Sequence, residues 1–234
     1  INTTNFASLT ETQVAAFSAT QLQAATNAQI AALTDTQVAA MSTTQIGGLT
    51  ATQIGALDAS DLAELTTTQI GALSSTQVRV LSQTGLGALS ETQVAAFGAA
   101  QIQSLTTTTL TNLADTLLAA LTTTQIAALN TAQARALTAG NMAALTETQV
   151  GALTGGQLQS LTSTALSALA ETQIQAMSTT QVASLKTIQI TQLSGADVAE
   201  FSTTQIAAMT TSQIKALTTT SMGALLDTQI GAFT

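Results

Sequence analysis

The chain has no cysteine, histidine, proline, tryptophan or tyrosine, and its aromatic content is five phenylalanines. Without cysteine, disulfides and thiolate metal sites are impossible, and without histidine the commonest general base is missing. Positive charge is equally scarce. Arg79, Arg135, Lys186 and Lys215 face 12 acidic residues, for a formal net charge of -8. So few cations cannot neutralise a run of phosphates, which excludes nucleic acid as a partner and disfavours an anionic membrane. Thr, Ser or Gln interrupts every apolar stretch short of 18 residues, so no membrane insertion is expected. The N-terminal Ile1-Asn2-Thr3-Thr4 does not read as a signal peptide. A globular core usually leans on large aromatic anchors. Their near absence points instead to a thin core of small, regularly stacked units.

What the chain does have is a period. From Leu9 an apolar residue falls every eight residues, at Phe17, Ala25, Leu33, Met41, Leu49 and on to Leu225 and Phe233. The consensus octad is Leu-(Thr/Ser)-x-Thr-Gln-(Ile/Val)-x-Ala. Residues 9–232 hold 28 such units without an insertion, and residues 1–8, with Ile1, Asn2, Phe6 and Ser8, form a degenerate one. The unbroken register predicts a single continuous domain over 1–234. Because it starts and stops within the repeat, the chain reads as a segment of something longer.

Each octad encodes a helix start. Position 2 is Ser, Thr, Asp or Asn in 23 of the 28 units, and position 5 is Gln in 20, which together make a capping box. The apolar residues at positions 1 and 6 then stand where a hydrophobic staple needs them. Charges agree with that polarity. Seven acids, among them Glu11, Asp35 and Glu91, sit at position 3, while Arg79, Arg135 and Lys215 sit at position 7, as a helix dipole favours.

One continuous helix is excluded, because eight residues at 100° each would carry the Leu row around the cylinder. The fold class expected is therefore all-α: a solenoid of very short helices, one per octad, stabilised by stacking because such helices do not survive alone. A β-solenoid is the alternative suggested by the Thr, Ile and Val content, but positions 1 and 6 would fall on opposite faces of a strand. Octads lacking Gln at position 5 recur at Asp61, Gly85, Thr109, Leu117, Asn141, Ala165, Asp197 and Ser221. Their spacing suggests a coil of between three and four octads, with an old 24-residue duplication as the rival reading. Positions 1 and 6 should point inward, and the Ala, Gly or Ser at position 8 in 23 units should let coils approach closely.

No catalytic constellation is present: Ser and Thr have capping explanations, and no lysine has an activating partner. No catalytic, cofactor or metal residue is assigned. The acidic octads with Asp58, Asp61 and Glu64, and with Asp197 and Glu200, are candidate calcium sites by residue type, but they bring too few carboxylates to one place. Gly47-Gly48 and Gly155-Gly156 lack the lysine and spacing of a phosphate loop and read as packing residues. Thr at position 4 in 19 units resembles the hydroxyl arrays of solenoid ice-binding proteins, although capping would occupy the neighbouring hydroxyls.

The octads Leu121-Thr122-Thr123-Thr124-Gln125-Ile126-Ala127-Ala128 and Leu145-Thr146-Glu147-Thr148-Gln149-Val150-Gly151-Ala152 resemble the Leu-Thr-x-x-Gln-Ile-x-Ala tracts of giant bacterial surface or secreted adhesin-like proteins. That resemblance implies an extracellular or cell-surface location and a structural role, and it carries over no functional residue. The expected function is a rod, stalk or filament without catalysis, self-associating end to end, with no cofactor. The alternative is a binding module using its Thr/Gln-rich face for a cell-surface protein, a glycan or ice.

Overall fold

The computed structural model describes residues 2–233; Ile1, counted in the degenerate first octad, lies outside them. Each octad becomes one helix of four to six residues, as in Ala51–Ile54, Ser75–Arg79 and Thr43–Gly48. Among the described residues there are 29 such helices and no strand. The chain is an all-α solenoid, and the β-solenoid alternative is set aside.

The corner between helices is made by positions 1 and 2. After Thr43–Gly48, Leu49 (φ -64°, ψ 149°) and Thr50 (φ -68°, ψ 157°) are both extended. Leu49 N–H still bonds back to Ile46 C=O at 3.2 Å, and Thr50 then caps the next helix. Two extended residues are thus enough to redirect the chain, and no described residue has positive φ. This corner requires neither proline nor glycine, in keeping with a chain that has no proline.

The chain falls into two compact units, Ile1–Leu121 and Thr122–Thr234. Within each, a helix packs on the one three octads away. In the first unit Thr43–Gly48 lies against Ala19–Gln23 and Thr67–Ala72; in the second, Gly155–Ser160 lies against Thr131–Ala136 and Thr179–Ser184. Position 6 forms the core along most of the chain: Ile46, Ile70, Ile126 and Val182 are all 0% exposed, while Ile230 in the last octad is exposed. Leu49, Leu73, Leu129 and Leu185 at position 1 lie beside them, also buried. Burying such side chains is worth roughly 1.5–3 kcal/mol each, which five-residue helices need to persist. Small residues set the coil spacing. A Cβ added at Gly48 would come within 2.7 Å of Ala19 Cβ in the neighbouring coil.

Candidate functional site

The polar groups of the octad are occupied in one recurring arrangement, seen clearly at Gln77. Its backbone N–H donates to Ser74 Oγ (3.3 Å) and its Oε1 accepts from Ser74 N–H (2.6 Å), completing the expected capping box. The side-chain amide then does something further. Nε2 donates to the carbonyls of Ile46 (2.9 Å) and Leu49 (2.8 Å), with Gly47 at 3.5 Å, 28 to 31 residues earlier. Those carbonyls lie at the end of the helix Thr43–Gly48, where the ladder of helical bonds runs out; Ile46 C=O accepts from Leu49 N–H as well as from the amide. One side chain thus caps the start of its own helix and the end of a helix in the preceding coil. Gln77 is 1% exposed, so neither end of this stitch competes with water.

The second unit repeats it. Gln181 Oε1 accepts from Ser178 N–H at 2.7 Å, and Nε2 donates to Val150, Gly151 and Leu153 at 3.0, 3.1 and 2.7 Å. Packing at three octads and stitching to the fourth place the coil between the two, as the spacing of the deviant octads suggested.

The octad pattern accounts for glutamine as half of a capping box. The signal that could have revealed the other half is the complete absence of Glu from position 5. A carboxylate would close the box equally well and suit the helix N-terminus better, but it cannot donate to a carbonyl.

Hydroxyls are similarly committed. At several octads the position 2 and position 4 hydroxyls bond each other, as in Thr66–Thr68 (2.9 Å), Ser90–Thr92 (3.0 Å) and Ser202–Thr204 (2.9 Å). Where position 5 deviates, the local reason is visible. A Cβ at Gly85 would lie 2.5 Å from Leu62 Cδ1, so a side chain there would first have to displace that leucine. Ser221 is a shorter substitute, its Oγ reaching Leu193 C=O at 3.4 Å.

Of the acidic octads, the first gathers differently from the sequence expectation. Asp58 and Asp61 are joined by Asp35 from the preceding coil, with carboxylate oxygens all within 4.8 Å, and Glu64 is not in the group. Asp58 Oδ1 accepts from the N–H groups of Ser60 and Asp61, and Asp61 Oδ2 accepts from Asp58 N–H. Burial pushes the Asp61 carboxyl up to about 6; the Asp58 N–H opposes the rise, and the charges of Asp58 and Asp35 add to it. In the second octad Asp197 Oδ2 accepts from Ser194 N–H (2.8 Å) and from Ser167 Oγ (3.0 Å). Glu200 lies nearby with Oε2 buried and unpartnered, its carboxyl raised by burial and by Asp197 and Glu171.

One open groove of 710 Å³ runs past Arg135, Lys186 and the exposed Ile188, with Gln159, Ser163 and Gln192 along it. Both cations are solvent-exposed, and Ser163 Oγ donates to Gln192 Oε1 along it.

No match was found among curated proteins. The ALTTAQ repeat family model matches residues 54–91, 118–147, 190–226 and 198–234, so these stretches are similar to that repeat, and the chain is a repeat-tract protein.

Proposed function

We propose that this chain is a non-catalytic structural element of an extracellular or cell-surface rod, stalk or filament, and that its coils also join end to end between copies. The observation that carries this reading is the directional glutamine stitch. Each coil offers side-chain amides on one side and helix-end carbonyls on the other. A coil face without a neighbour therefore presents the complement of the opposite face of another coil. Contacts of this head-to-tail kind that do not close on themselves give filaments. The committed hydroxyls and capping glutamines leave little polar chemistry for a reaction, and they weigh against a free Thr array that would bind ice or glycan.

Electron microscopy of the purified chain over a concentration series tests the assembly. Filaments with an axial spacing of about 9 Å, one helix diameter, are expected. Separate particles at every concentration would overturn end-to-end joining and leave a monomeric spacer.

A further inference from the structure

Asp61 stands where most octads carry glutamine. In Gln69 and Gln77 the side-chain amide donates to the helix end 28 to 31 residues earlier. Counting back the same 28 to 31 residues from Asp61 reaches Ile30, Ala31 and Leu33, at the end of the helix Asn27–Ile30. An ionised carboxylate has no proton to give those carbonyls. Asp197, the other acidic occupant of this position, meets the difficulty by reversing the direction of the bond: Ser167, 30 residues earlier, donates its hydroxyl to Asp197 Oδ2. The residue 30 before Asp61 is Ala31, which has no hydroxyl.

We propose that Asp61 is a proton-operated stitch: protonated, its carboxyl hydroxyl donates to the carbonyls ending the Asn27–Ile30 helix as glutamine amides do elsewhere, and ionised, it leaves that coil contact unmade. Asp61 is 3% exposed, so the charged form is poorly solvated. Its own helix, Ala59–Ala63, is flanked by Asp58 and Glu64. The packed helix Asp35–Ala39 brings Asp35, and the packed helix Gln83–Gly87 brings no charged residue. No cation faces it from these elements, and the surrounding charges disfavour ionisation.

The carboxyl is raised to about 6 from an ordinary 3.8, so the folded chain holds this proton more tightly than the unfolded chain. The contribution is therefore fully present below the unfolded value and is lost as pH rises through about 6.

The test uses the full chain, with carboxyl-carbon NMR of Asp61 and thermal melting at pH 5 and pH 7. Melting is compared in a Glu200→Gln background, which removes the second raised acid. We expect an Asp61 midpoint near 6 and a higher melting temperature at pH 5 than at pH 7. Asp61→Gln should raise the pH 7 melting temperature and abolish that difference. Ala31→Ser, which recreates the Ser167–Asp197 pair, should lower the Asp61 midpoint. An Asp61 midpoint in the ordinary carboxylate range, or a pH dependence that survives Asp61→Gln, overturns the proposal.

Discussion

At the scale of a residue, the choice that organises this chain is glutamine over glutamate at position 5. Both reach back to the N-cap N–H, but only the amide also donates to the coil before it. Gln77→Glu at pH 7 would set a buried carboxylate against the Ile46 and Leu49 carbonyls. A buried polar group stripped of its partner costs about 1–3 kcal/mol, more when charged. The variant should therefore melt below the parent at pH 7 and recover part of the loss at pH 4, where glutamic acid regains a donor. Equal losses at both values would mean the amide proton contributes nothing. The capping half of this device was legible in the sequence, since Ser/Thr and Gln stand three apart in octad after octad. The donor half was not legible there, because its acceptors lie 28 to 31 residues away and local spacing rules do not reach them.

At the scale of an element, each helix is defined by its cap far more than by its interior. The octad Leu-Thr-x-Thr-Gln-Ile predicted helix starts, and helices begin there. Where the cap is missing, the helix survives on tertiary packing. Ala114, Ala170, Lys186 and Leu226 stand at N-cap positions and make no capping bond with their own side chains; at the last three the glutamine half of the box remains, Oε1 accepting from the N-cap N–H. Ala170→Thr should restore an acceptor for Gln173 N–H and stabilise the second unit by about 1 kcal/mol. The converse change, Ser74→Ala, should cost a similar amount; circular dichroism melts of both variants check the pair. Asp35 shows where reading the chain by element stops short. It is an ordinary first-turn acid on its own helix, and only the coil sets it beside Asp58 and Asp61.

At the scale of the whole molecule, near-identical octads make neighbours interchangeable. Deleting residues 66–73 joins Leu65 to Ser74, and every later octad keeps its register. Helicity per residue should be unchanged by circular dichroism, with a modest loss of stability, as expected for a nearest-neighbour array. Deleting residues 67–70 instead breaks one octad and should cost much more, so equal effects would count against stacking by octads. The period of eight was plain in the sequence. Coil length could be approached only through deviant octads, because it depends on how helices cross, and no residue encodes that alone. The glutamine bonds that tie successive coils are also made by uncharged groups, an amide and backbone carbonyls. Dissolved ions screen charges over about 10 Å at 0.1 M salt, but they leave such buried neutral bonds intact. The coils should hold as firmly in brine as in dilute buffer, a property suited to a structure that meets whatever water surrounds it.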